Sequence, residues 1–172
     1  SDVKVYLEQP AKIFAEIKGF DEIISDLPEE EPFDVYFALD CNEERLGEAD
    51  KYFRVAKKKI NIDHHISNVG CGDVNLVRPH VGSTCEVLYG LMADADINLK
   101  IAEALYIGII FDSGVFRYSN TSKRTMEIAG RLMEKGIPFW NYIDKCFYQR
   151  TYTQTQLLGR TLLTSMRLMD GK

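Results

Sequence analysis

At 172 residues and 45% hydrophobic content, the chain has the length of one domain and enough apolar side chains for a core. A net charge of −5 with both signs interspersed excludes a broad basic surface, and with it general binding of long nucleic acid, while a small phosphorylated ligand stays open. The four cysteines, Cys41, Cys71, Cys85 and Cys146, lack C-x-x-C spacing and read as reduced thiols of a cytoplasmic protein; the longest apolar run, residues 104–111, is too short to span a bilayer.

Residues 3–7 alternate like a strand, and Leu27-Pro28-Glu29-Glu30-Glu31-Pro32 reads as an acidic loop inside one domain. Residues 33–39 form a nearly unbroken apolar run, predicting a strand buried on both faces that ends at Asp40. A short helix is expected over 43–49, a short strand over 53–55, and a solvated or phosphate-touching lysine loop at 57–59. Residues 60–62 predict a second buried strand ending at Asp63, and 74–77 a third.

Ser83 followed by Glu86 predicts a capping box opening an amphipathic helix through Val87, Leu88 and Leu91. Ser83 and Thr84 serve as caps or as phosphate contacts. Residues 101–111 mix helix and strand formers, and we read them as a buried helix ending near Asp112, which is a turn former or a ligand. A short strand follows at 115–118, in which Arg117 clamps a phosphate or forms a surface salt bridge. Residues 120–122 cap a helix over 123–135, closed by Gly136 and Pro138. From residue 139 the chain reads as helical. Leu157, Leu158, Leu162, Leu163 and Met166 fall at helical spacing, as core or as an inter-domain contact, and Trp140, Phe147 and Tyr148 read as packing.

The concentrated chemistry lies at Asp63-His64-His65, which holds two of the three histidines beside a carboxylate at the end of an apolar strand. Imidazole and carboxylate in that setting suit Mn²⁺, Mg²⁺ or Zn²⁺. Asp40 ends a neighbouring strand, and open α/β sheets gather ligands at the carboxyl edge.

In sequence order, Ala38-Leu39-Asp40, Ile62-Asp63-His64-His65, Gly82-Ser83-Thr84-Cys85-Glu86 and Gly108-Ile109-Ile110-Phe111-Asp112-Ser113-Gly114 resemble the DHH phosphoesterases. Gly114-Val115-Phe116-Arg117-Tyr118 with Asn120-Thr121 is similar to the branch that degrades very short RNAs and dephosphorylates 3′-phosphoadenosine 5′-phosphate. The resemblance implies an α/β fold, a mostly parallel sheet with flanking helices. It also implies phosphoester hydrolysis at two divalent cations, usually Mn²⁺, with Mg²⁺ an alternative. By position it makes Asp40, His64 and Asp112 metal ligands, with Asp40 shared between the cations. His65 then faces the substrate phosphate, Asp63 orients the imidazoles, and Arg117, Ser83 and Thr84 are further substrate or supporting contacts.

Two departures accompany it. Family members begin with a His-x-x-x-Asp-x-Asp strand, absent here, and end in a substrate-binding domain that would follow a linker helix. The expectation is therefore a catalytic domain over residues 1–148 lacking its first strand and first metal motif, then a linker helix over 149–172, truncated at both ends. Its partners are short RNA or a small phosphorylated nucleotide, with no membrane contact in this segment. The apolar carboxy-terminal helix offers a face for a neighbouring domain or for a homodimer. Two alternatives stand beside this reading. One is a cyclic-dinucleotide phosphodiesterase or polyphosphate or pyrophosphate hydrolase; the other is a non-catalytic nucleotide-binding or oligomerising module.

Overall fold

The computed structural model describes residues 2–26 and 33–165, so the acidic loop expected at 27–32 and the end of the apolar stripe at Met166 lie outside the described residues. The chain forms two compact units, Ser1–Phe139 and Trp140–Lys172. The first is α/β with parallel sheets. A small one pairs β1 (Val5–Tyr6) with β2 (Ile23–Ile24), and the Leu7 N–H also donates to the Ile24 carbonyl, so the strand expected over 3–7 is shorter than predicted. A larger one has the order β3 (Val35–Leu39), β4 (Lys58–Asp63), β5 (Val74–Val77), all parallel.

β3 corrects the reading of a strand buried on both faces. Ala38 is buried beneath Leu46 and Phe53, with Tyr36 packed beside them, whereas Val35, Phe37 and Leu39 on the opposite face are exposed, Phe37 by 55%. Strand side chains alternate between faces, and helix α2 (Thr84–Tyr89) packs on β4 rather than on this edge strand.

Three further segments differ from expectation. The helix over 43–49 is a pair of 3₁₀ turns, Glu43–Arg45 and Gly47–Ala49, because Gly47 takes a left-handed φ of 57°. The strand over 53–55 is instead the end of α1 (Asp50–Val55), which the Arg54–Asp50 pair at 2.6 Å ties together one turn apart. Of the lysine cluster, Lys58 and Lys59 lie inside β4; Lys57 pairs with Asp34 at 2.7 Å.

α3 (Leu99–Asp112) is the helix expected over 101–111, capped by Asn98, and is apolar nearly all round, burying Leu105, Tyr106, Ile109 and Ile110. It packs between α2 and α4 (Lys123–Glu134). Gly108 permits the α2 contact, since a Cβ there would come within 2.2 Å of Cys85 Sγ. Residues 115–118 form no strand. Gly114, Val115 and Phe116 all have positive φ, and Ser113 organises the turn: its hydroxyl oxygen accepts from the Phe116 N–H, its carbonyl from the Arg117 and Tyr118 N–H groups. α4 starts as predicted, with Ser122 and Thr125 forming a reciprocal capping box.

The second unit holds most of α5 (Phe139–Ile143), a wide π-type turn at Asp144–Tyr148, α6 (Tyr152–Arg160) and a second wide turn at Thr161–Ser165. Its leucines, Leu157, Leu158, Leu162 and Leu163, are exposed, as are Trp140 and Tyr148, so the stripe builds no core among the described residues. No helix among the described residues is long and apolar enough to cross a membrane.

Candidate metal centre

Parallel strands deliver their carboxyl ends to one edge, and Asp40 directly follows β3 while Asp63 is the last residue of β4. Asp40 has a left-handed φ of 60°, a conformation that Asp tolerates better than most residues, and its N–H still donates to the Ile62 carbonyl at 3.0 Å. The half-exposed carboxylate accepts from the Thr84 hydroxyl at 2.7 Å. Asp40, Asp63, His64 and His65 each present a ligand atom, all within 4.8 Å of one another.

The α3 terminus supplies Asp112. Its Oδ2 lies 3.6 Å from His64 Nε2, the same distance that separates His64 Nε2 from Asp40 Oδ1. These separations are too long for hydrogen bonds. Each pair is close enough to share a cation, because two atoms each about 2.1 Å from one ion lie no more than about 4.2 Å apart, although Asp112 is outside the group of four whose ligand atoms are all mutually close. Burial and the negative charge of Asp40 raise the Asp112 carboxyl above its usual value, a cost that a cation between the two carboxylates relieves. The other imidazole nitrogen, His64 Nδ1, is 3.2 Å from the Val81 carbonyl, and donating to it holds the ring with Nε2 toward the two carboxylates.

Asp63 is differently placed. It is 1% exposed, its Oδ1 accepts from the His64 N–H, the His65 N–H and His65 Nδ1, and its Oδ2 accepts from Asn68 Nδ2. Burial pushes this carboxyl up, but the donors from Asn68, His65 and the two backbone N–H groups outweigh it and hold the group below its ordinary value. The 2.8 Å contact orients the His65 ring with Nδ1 donating to Asp63 Oδ1; Nδ1 lies 3.8 Å from Asp40 Oδ1.

Of the other predicted residues, Ser83 is buried and caps α2, accepting from the Glu86 N–H at 3.2 Å. The box is not reciprocal, because the buried Glu86 carboxylate accepts from Thr125 on α4 instead. Arg117 is exposed in the turn after α3 and forms no ion pair among the described residues. The cysteines are free thiols, and burial raises Cys41 to about 11 and Cys85 to about 12, so neither supplies a thiolate nucleophile at neutral pH.

Residues to which the sequence gives no role at the centre hold it together. Asn61, fully buried within β4, donates to the Ala38 and Cys41 carbonyls, and Asn68 donates to Asn61, Asp63 and Cys41. Asn120 donates to the carbonyls of Gly82 and Asp112, joining the α2 entrance to the α3 terminus. An amide inside Ile60-Asn61-Ile62 is a legible signal, since a buried amide needs partners. Asn68 and Asn120 carry no such mark. Asn68→Ala strips donors from two buried acceptors and is expected to cost about 1–3 kcal/mol, read as a lower urea midpoint; an unchanged midpoint would remove Asn68 from this role.

Glu86 gives a pH prediction. Burial raises its carboxyl above 4.5, against the opposing pull of Thr125 and Arg124. The folded state then holds a proton that the unfolded chain has released. Its contribution to stability therefore rises as pH falls through the folded value and levels off below 4.5. Glu86→Gln lacks that gain, so urea midpoints of wild type and variant should separate in favour of wild type between pH 7 and 4.5; parallel curves would refute the assignment.

The bifunctional oligoribonuclease and PAP phosphatase NrnA of Bacillus subtilis (strain 168) is 32% identical over 99 residues, 55% of this chain and 31% of that protein. The protein of the same name from Thermus thermophilus is 29% identical over 107 residues, 61% of this chain and 33% of its own length. The matched part thus spans about a third of these relatives. The crystal structure of an exopolyphosphatase-related protein from Bacteroides fragilis superposes with a TM-score of 0.85 at 24% identity, covering 97% of this chain and 53% of that one, a likeness of fold. The model of the DHH family, N-terminal domain, matches residues 2–109. With more than half of its residues inside that match, the chain belongs to the DHH family.

Proposed function

We propose that the full-length protein is a divalent-cation-dependent phosphoesterase of the cytoplasm, acting on short oligoribonucleotides and nucleotide 3′-phosphates. The observation that carries the proposal is the convergence of His64 Nε2 with Asp40 Oδ1 and Asp112 Oδ2, each at 3.6 Å. The substrate class rests on the two relatives named as oligoribonuclease and PAP phosphatase, and the compartment on the four free thiols.

Asp40, His64 and Asp112 fit a cation, Mn²⁺ in this reading, which when bound supplies Lewis acidity toward a phosphoryl oxygen and acidifies water. The chain's own residues arrange the rest. Thr84 orients the Asp40 carboxylate through its hydroxyl, and Val81 fixes the His64 ring. Asp63, immobilised by Asn68, sets the His65 ring so that Nε2 is left for a proton from a phosphate or its water. Ser83 holds the α2 entrance from which Thr84 projects, and the exposed guanidinium of Arg117 binds phosphate oxygens in pairs. Among the described residues the donors suffice for one cation, so the chain alone binds a single Mn²⁺ weakly and turns over little. The exposed leucines after residue 156 are covered by a further domain or by a second subunit.

The test is hydrolysis of a short oligoribonucleotide and of 3′-phosphoadenosine 5′-phosphate by the full-length protein, with chelator and then with Mn²⁺ restored. Activity on either substrate that disappears and returns supports the reading, and activity indifferent to chelator overturns it.

A further inference from the structure

Next to the metal centre, a cavity of about 270 Å³ opens beside the end of β5. Val81 belongs to both places, since its carbonyl faces the His64 ring while the residue lines the cavity. The cavity gathers Arg78 from the β5 exit, His80 from the loop and Arg124 from the first turn of α4. None of the three forms an ion pair among the described residues, although the chain as a whole carries a charge of −5. The acid lining the cavity is Glu86, which accepts from Thr125 and feels the charge of Arg124; two arginines against this one acid leave the lining net positive.

Two details make this more than a charged surface. Gly90 leaves room for the Arg124 guanidinium, whose Nη2 would lie 3.1 Å from a Cβ at that position. Arg78 spends one donor on the Val77 carbonyl at 3.0 Å, which restrains its guanidinium and leaves other N–H groups unused. The lining also has an apolar part, Leu76, Val87 and Leu91. Apolar side chains suit a planar organic body, and guanidinium groups suit a phosphate. The volume, below the roughly 300–1,000 Å³ of drug-sized sites, suits one phosphorylated unit rather than a chain of them.

We propose that this cavity is a second ligand site, binding the phosphate of a nucleoside monophosphate between Arg78, His80 and Arg124 with the base against Leu76, Val87 and Leu91. Binding needs no metal ion and is separate from the hydrolytic reading.

The test is an amide NMR titration of the full chain with adenosine 5′-monophosphate in the presence of a chelator. Saturable shifts are expected at Val81, Gly90 and Leu91, with affinity at least about tenfold weaker in Arg124→Gln and in Arg78→Gln. Arg124→Lys, which keeps the charge but loses the planar fork, should fall between. Asp40→Asn should bind as wild type does, which keeps this result independent of the metal centre. Leu91→Glu, at an exposed position and therefore safe for folding, should also abolish the shifts. Adenosine binding as tightly as the monophosphate would overturn the proposal, as would inorganic phosphate doing so, because each removes one half of the recognised ligand. Absence of shifts at Gly90 and Leu91 in well-folded wild type would overturn it outright.

Discussion

Asp40→Asn is expected to lower the proposed phosphoester hydrolysis by the full-length protein about a thousandfold, the rate equivalent of several kcal/mol of lost charge stabilisation. The substitution isolates the ligand role. Asn is tolerated in the left-handed region almost as well as Asp, so the φ of 60° at this position is preserved. An amide oxygen can still accept the Thr84 hydroxyl that now bonds Asp40 at 2.7 Å. What disappears is the negative charge facing His64 Nε2. Turnover is measured with 3′-phosphoadenosine 5′-phosphate at saturating Mn²⁺, and near-normal turnover would take Asp40 out of the centre.

Gly108→Val is the substitution expected to cost most stability. A single Cβ already meets Cys85 Sγ at 2.2 Å and Cys85 Cβ at 3.2 Å, and valine adds two methyl groups in a helix buried on nearly all sides. Overpacking of this kind costs about 3 kcal/mol at the upper end of its usual range, and each kcal/mol lowers the Tm of a chain this long by about 2–4 °C. Cys85→Ala should restore part of the loss in the double variant while destabilising the wild type, a coupling that calorimetric Tm values resolve. The contact matters beyond packing, since Gly108 lies one turn before Asp112 and Cys85 directly follows Thr84. Separating α2 from α3 therefore separates the two sides of the centre. A Gly108→Val protein with an unchanged Tm would show that this approach is not close.

The sequence carried the strands that end in acids more clearly than anything between them. β4 and β5 were legible because Ile60-Asn61-Ile62 and Val74-Asn75-Leu76-Val77 are short, apolar and bounded by polar residues, and α3 because its length exceeds a strand. Residues 53–55 were misread because Phe and Val favour strands locally, while the Asp50–Arg54 pair and the burial of Tyr52 and Phe53 decide for helix. Residues 115–118 failed for another reason: nothing in Val115-Phe116 announces positive φ, which the hydrogen bonds of Ser113 impose. The burial of β3 was overread because a continuous apolar run does not say whether its second face has a cover.

The centre was legible as residue types at strand and helix ends, and its supports were not. His64, Asp40 and Asp112 announce themselves by chemistry, whereas Asn68, Asn120 and the Val81 carbonyl act through long-range hydrogen bonds that spacing cannot encode. The cavity of Arg78, His80 and Arg124 was hidden in the same way, because two of its cations are 46 residues apart in sequence, at positions 78 and 124.

Isothermal titration of Mn²⁺ into this chain and into His64→Ala tests the central claim most directly, because His64 Nε2 is the atom on which both carboxylates converge. One weak site in the wild type, lost in His64→Ala, is the predicted result; two tight sites, or an isotherm unchanged by the substitution, would contradict it.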